Sequence, residues 1–258
     1  FARRIQYVLL QCKRVAQAVK STLEQHTFPL VLSGDHSSAL GTISGFKAYQ
    51  PQARLGVLWL DAHADLHTPY TSPSGNIHGM PLAAALNVRN RVQEGRYISA
   101  PVTRFWNKMK RIGVDQTKLF PTDLVYFGLR DFEVEEKALI DELGIKFHTV
   151  EQVRAKGVEQ CCQETLQYLK ACDYLYISFD VDSMDSSIVS EGTGTPVPKG
   201  FIPSEILAIL KSLLASRKVI CLEFCEINPL LDKQGNKMAE TAFSILENIT
   251  KDLKFPAD

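Results

Sequence analysis

Several things are missing from this sequence, and each absence removes a class of function. No apolar run approaches the ~20 residues a helix needs to cross a bilayer, and the opening FARRIQYVLLQCKR carries no signal-peptide cleavage pattern. Net charge is missing too: 29 Lys and Arg balance 29 Asp and Glu without a basic block, so neither nucleic acid nor an anionic membrane is an expected partner. The six cysteines, Cys12, Cys161, Cys162, Cys172, Cys221 and Cys225, form no C-x-x-C pair and no repeated ladder, which argues against a zinc module or a disulfide scaffold. Reduced, buried thiols are expected instead. Low-complexity tracts and linkers are also absent, so residues 1–258 read as one domain. The expected location is the cytoplasm, with an organelle matrix left open because the chain starts at Phe1 rather than Met.

What remains is a chain that can build a core, with 45% apolar and 22% charged residues. Apolar positions recur at helical spacing through residues 3–25 and then give way to the compact run FPLVLSG. The alternation continues, with strands expected at 29–33, 55–60, 124–129, 145–150, 174–180 and 219–226 and helical stretches after most of them. DFEVEEKALIDELG has acids in its first turn and Gly144 at its close, and IPSEILAILKSLLAS enters through Pro203 and Ser204. Strands that are apolar throughout and alternate with helices predict a three-layer α/β/α fold around a mainly parallel sheet. Two stretches fit this pattern poorly. Residues 66–78, LHTPYTSPSGNIH, form a long punctuated loop of the kind that carries function, and 88–123 predict a helical excursion and a turn.

In a parallel sheet, ligands bind beyond the carboxyl ends of the strands, and four such ends carry acids or imidazoles. PLVL is followed by Asp35 and His36, LGVLWL by Asp61, His63, Asp65 and His67, YLYISF by Asp180, Asp182 and Asp185, and VICLEFC by Glu226. If the strand direction continues, Asp-x-His-x-Asp at 61–65 and Asp-x-Asp at 180–182 point their ligands to one side. Single acids after strands are often only turn or helix caps, and Asp35 and Asp185 read that way. The whole set is different, because carboxylates that converge in one pocket repel unless cations neutralise them. Carboxylates joined by only two or so imidazoles suit relatively hard divalent metals, and their number suggests two ions.

The segments SGDHSSALGTISG, DAHADLHTPYTSPSGNIHG, SFDVDSMD, GTGTPV and EFCEINP, in this order over nearly the whole chain, resemble the ureohydrolase superfamily, and bacterial-type arginases in particular. The resemblance implies the arginase-like α/β fold and a pair of Mn2+ ions. One ion would be held by His36, Asp61, Asp65 and Asp180 and the other by Asp61, His63, Asp180 and Asp182. It also implies hydrolysis of L-arginine to L-ornithine and urea by a metal-bridging hydroxide. His78 would shuttle protons, Glu226 would hold the guanidinium, and Asp65 would join them as a catalytic residue. His67, Ser74, Asn76, Glu133 and Thr195 would complete the substrate contacts.

The chain departs from the family pattern at four places. His67 stands where many arginases have Asn, Glu133 where they have Asp, Ser33 replaces the first Gly of G-G-D-H, and one residue is inserted between DVDSMD and GTGTP. Only about 35 residues precede His36, so by comparison the first strand-helix portion of the fold is expected to be missing. The family implies a homo-oligomer, trimer or hexamer. Two other readings stay open: a ureohydrolase for agmatine or a guanidino acid, and a non-catalytic arginase-like binding protein, against which the intact ligand set argues.

Overall fold

The computed structural model describes residues 2–90 and 97–256. All six expected strands form: β1 Leu30–Leu32, β2 Leu55–Leu60, β3 Leu124–Phe127, β4 Lys146–His148, β5 Tyr174–Asp180 and β6 Val219–Cys225. They make one parallel sheet in the order β1-β6-β5-β2-β3-β4. The described helices are α1 Ile5–Glu24, α2 Ala39–Tyr49, α3 Pro81–Ala85, α4 Ala100–Met109, α5 Val134–Leu143, α6 Val150–Lys156, α7 Val158–Tyr168, α8 Pro203–Leu214 and α9 Lys237–Ile249. Within 88–123 the expected helix is α4 and the turn is Pro121–Asp123, while 91–96 lie outside the described residues.

Two cores explain why the strands read as continuous apolar runs. Neighbouring residues of a strand point to opposite faces. Val57 and Trp59 of β2 pack into a core with residues of α1 to α5, whereas Leu58 and Leu60 enter a second core with α6 to α9. Helix α1 buries Ile5, Leu9, Cys12, Ala16, Val19 and Leu23, a single stripe at helical spacing. That stripe lies so close to α2 that a Cβ at Gly41 would sit 2.7 Å from the Cys12 carbonyl oxygen, and one at Gly45 2.6 Å from that of Ala16. The two missing side chains set the distance between these helices, and α2 in turn fixes His36 at its entrance.

Strand β4 ends on His148, which is buried with Nε2 3.0 Å from Thr165 Oγ1. Burial, helped by nearby Lys146, pushes its pKa down to about 4. The neutral ring is favoured in the fold, so its contribution to stability is present above the unfolded value near 6.5 and is lost as pH falls towards 4. The loss amounts to about 3 kcal/mol across that window. Urea unfolding of wild type and His148→Gln, both with chelator present, should therefore show the wild type losing more stability between pH 6.5 and 4.5. Parallel losses would contradict this reading of His148.

The strand order matters most for function. Although scattered along the chain, β1, β6, β5 and β2 are consecutive in the sheet, so their carboxyl ends lie side by side. These are the four ends that carry the clustered acids and imidazoles.

Candidate active site

Strand β2 stops at Leu60, and Asp61 turns the chain there: its Oδ1 accepts the amide of His63 at 2.7 Å. Asp65 then adopts the left-handed backbone conformation with φ 54°, a placement a non-glycine residue holds only when its surroundings impose it. The same device follows β5, where Asp180 Oδ1 accepts the Asp182 amide at 2.8 Å across a short 3-10 turn. The expectation that the strands simply continue through 61–65 and 180–182 is therefore corrected. Each carboxylate bends its own backbone through one oxygen, and the turn brings the acids and imidazoles together. Asp35 and Asp185 are turn caps, as expected: they accept the amides of Ser37 at 3.0 Å and Ser187 at 2.9 Å.

Two adjoining clusters result. In the first, His36 Nδ1 lies 3.0 Å from Asp61 Oδ2, 3.1 Å from Asp65 Oδ2 and 3.2 Å from Asp180 Oδ2, all buried. In the second, His63 Nδ1 is 3.0 Å from Asp182 Oδ2 and 3.4 Å from Asp61 Oδ1. Asp61 belongs to both. The His36 ring is fixed by Ser178 Oγ, 2.7 Å from its Nε2, and by stacking on Trp59 with ring centroids 3.9 Å apart. The Trp59 indole also donates to Asp61 Oδ2 at 2.8 Å.

The electrostatics of this box are unbalanced by protein groups alone. Burial, with Asp182 and Asp61 adding repulsion, raises the Asp180 pKa well above the carboxylate range, and burial with Asp61 raises that of Asp65. Burial alone would depress His36, yet Cys225 and the aspartates outweigh it and push its pKa well up. Although three carboxylate oxygens crowd His36 Nδ1, His36 Nδ1 and Asp65 Oδ2 both remain buried without a hydrogen-bond partner. Orphaned buried polar atoms are uncommon, and here they face each other inside a set of carboxylate and imidazole donors. The residues fit hard divalent cations, with His36, Asp61 and Asp65 forming one candidate group and Asp61, His63 and Asp182 another.

A cavity of ≈ 260 Å3 adjoins these clusters, lined by His63 and Asp65 together with His67, Ser74, Asn76, His78, Glu133 and Thr195. The loop expected to be functional supplies four of those residues. Thr195 Oγ1 donates to Asp182 Oδ2 at 3.2 Å, which ties the GTGTP segment to the second cluster. Glu226 follows β6 in the left-handed conformation, φ 64°, and its Oε1 accepts the His36 amide at 2.9 Å while lying 3.5 Å from His78 Nδ1. Burial pushes the Glu226 pKa up to about 7, although the His36 amide and His78 both favour the ionised form.

His67 and Glu133, two of the departures from the family pattern, touch each other: Nε2 and Oε2 are 2.9 Å apart. Behind them stands Glu136, whose Oε1 accepts the Leu66 amide at 3.0 Å and whose Oε2 is 3.6 Å from His67 Nε2. Burial and the neighbouring Glu133 push Glu136 up to about 9, so at neutral pH Glu133 carries the charge of the pair.

Some supporting residues escaped the sequence reading. Glu223 sits inside β6, fully buried, and accepts hydrogen bonds from Ser33 Oγ at 2.8 Å, Thr42 Oγ1 at 2.6 Å and the Tyr176 hydroxyl at 2.8 Å. Its signal was available, since a glutamate within the apolar run VICLEFC demands buried donors. Arg130 clamps the Asp182 turn by donating to the carbonyls of Asp182 at 2.7 Å and Val197 at 2.9 Å. Ser178 and Trp59 gave no comparable signal.

Comparison with known proteins agrees with this geometry. The model of the Arginase family matches residues 3–251. The chain is 36% identical over 247 residues to the arginase of Bacillus subtilis strain 168, covering 96% of this chain and 77% of that one. The crystal structure of Bacillus caldovelox arginase superposes with a TM-score of 0.83 at 36% identity, over 96% of this chain and 77% of that chain. Helicobacter pylori arginase does so with 0.84 at 33% identity, over 98% and 83%. The parallel sheet, the two carboxylate–imidazole clusters and these likenesses lead to one conclusion: the chain belongs to the arginase family.

Proposed function

We propose that this arginase-family hydrolase converts L-arginine to L-ornithine and urea, with residues 1–258 acting as one metallohydrolase domain that holds two Mn2+ ions. One observation carries the reading: the paired carboxylate and imidazole clusters adjoin a cavity lined with the hydroxyl, amide and carboxylate groups an amino acid needs. His36, Asp61, Asp65 and Asp180 would hold the first ion, and Asp61, His63, Asp180 and Asp182 the second. When bound, such ions offset the crowded carboxylates and make water a nucleophile at neutral pH.

The remaining chemistry belongs to the chain. A guanidinium is a resonance-stabilised cation, so it needs an anionic partner to orient it and a proton donor for its leaving nitrogen. Glu226, with its pKa near neutrality, ionises beside that cation and orients it by charge-assisted hydrogen bonds. Asp65, which would hold the first ion and also lines the cavity, serves the attack by accepting a hydrogen bond from the water. His78, half-buried in the turn Ile77–Gly79, gives a proton to the departing amine and takes one from replacement water. Ser74 and Asn76 donate to the α-carboxylate, and Glu133 faces the α-ammonium with His67 holding it in place. Thr195 steadies Asp182 at the guanidinium end.

The reading extends to a cytoplasmic location, supported by six free, buried cysteines, and to a homo-oligomer of three or six chains. Among the described residues, no helix is long and apolar enough to cross a membrane. Exposed apolar side chains on neighbouring loops, Ile188, Leu230 and Leu231, support assembly.

Substrate comparison tests the amino-acid end. Agmatine lacks the α-carboxylate and leaves Ser74 and Asn76 unused, so arginine should exceed it in kcat/KM by about 100-fold or more. Equal use of the two would overturn the roles of that loop. The His67–Glu133 contact gives a second test. Each of His67→Asn and Glu133→Asp should raise KM for arginine about tenfold with little change in kcat, as expected when one charged hydrogen bond of about 1.5 kcal/mol is lost. The double variant should be milder than the product of the two. Strict multiplicativity would show that the residues act separately.

A further inference from the structure

We propose that Cys225 is a donor to the first metal cluster, giving that position an affinity for softer divalent ions such as Co2+ that carboxylates and imidazole alone would not supply. This rests on the two-ion reading above and adds a ligand to it.

The sheet register places the thiol there. In the parallel pairing of β5 with β6, Asp180 stands opposite Cys225, so both side chains leave the same face. Cys225 Sγ lies 3.8 Å from Asp180 Oδ2, the oxygen that is 3.2 Å from His36 Nδ1. One donor atom each from His36, Asp180 and Cys225 falls within 4.8 Å of the others, and all three residues are buried. Cys225 is the only cysteine among the described residues that joins such a group. Its sulfur is weakly committed elsewhere: the Phe179 carbonyl lies at 3.8 Å, a long contact, and its remaining polar neighbour is His36, itself a member of the cluster.

His36 belongs both to this group and to the one formed with Asp61 and Asp65, and His36 Nδ1 and Asp65 Oδ2 are buried without hydrogen-bond partners, so the cluster the thiol adjoins contains atoms that call for a cation. Sulfur is the soft member of this donor set. Divalent ions later than manganese in the first transition row bind nitrogen and sulfur donors more tightly, and a thiolate widens that gap. As the sulfur–metal bond forms, the S–H proton leaves to solvent.

Cobalt absorption tests this on the metal-stripped full chain reloaded with Co2+. Visible d–d bands report that the ion is bound, and a near-ultraviolet thiolate-to-cobalt charge-transfer band reports sulfur in its shell. The expected result is both signals in wild type, with the charge-transfer band lost and the d–d bands kept in Cys225→Val and Cys225→Ala. In competition between Co2+ and Mn2+, read by elemental analysis, the variants should lose about tenfold or more of the cobalt preference. Bound cobalt in wild type without the charge-transfer band would overturn the role of Cys225 and leave the two-ion centre standing. A band that persists in both variants would assign it to another cysteine. Failure of wild type to take up cobalt or manganese at all would overturn the metal centre and this inference together.

Discussion

Replacing Asp180 with alanine is expected to remove manganese binding and activity together. Asp180 Oδ2 faces His36 at 3.2 Å while its Oδ1 forms the turn that presents Asp182, so the substitution deletes one ligand and releases a second. Turnover should fall by at least roughly 10³-fold, the scale expected when the ions' charge stabilisation and nucleophile generation are lost. Folding should survive. Asp180 is buried beside Asp182 and Asp61, which push its pKa up, so its removal relieves crowding among these acids and the metal-free protein is expected to keep its fold. The two effects separate in a melting experiment. Manganese at 100 times its Kd should stabilise the wild type by about 2.7 kcal/mol per site and leave the variant unmoved. A variant that unfolds without metal, or that still responds fully to manganese, would contradict the place given to Asp180.

His78→Ala should behave in the opposite way, keeping both ions and losing turnover. His78 makes no contact with a cluster carboxylate; its Nδ1 is 3.5 Å from Glu226 Oε1, and its side chain is 30% exposed, as a group exchanging protons with water should be. Removing a general acid–base group costs about 10²–10⁴-fold in rate. The loss should fall on kcat with KM little changed, and added imidazole should restore part of it. Elemental analysis alongside kinetics gives the check, since equal metal loss in His78→Ala and Asp180→Ala would make His78 a structural support rather than a proton carrier.

The sequence and the structure agree where a local pattern has a local cause. LGVLWL had to be a buried strand because all six residues are apolar, and the structure buries every one of them between two cores. The acids after the strands could be read as a site because nothing in a solvated loop requires so many of them at such regular places. Long-range pairing was not legible. The order β1-β6-β5-β2, which makes the four acid-bearing ends neighbours, joins segments nearly 200 residues apart. The His67–Glu133 contact likewise spans 66 residues, so two departures that looked independent in the chain form a pair in space. The turns at Asp61 and Asp180 differ from the sequence expectation for a local reason: strand alternation does not continue through carboxylates that cap the next amide but one. Cys225 reads in the sequence only as a buried thiol, because the pairing that sets it beside Asp180 is long-range.

The most direct test of the whole account is the product yield from L-arginine by metal-stripped and manganese-reloaded protein, with bound manganese measured on the same samples. The stripped protein is expected to yield no ornithine above blank. With two ions per chain restored, ornithine and urea are expected in equal amounts. Two bound manganese ions with no ornithine above blank would contradict the proposed function.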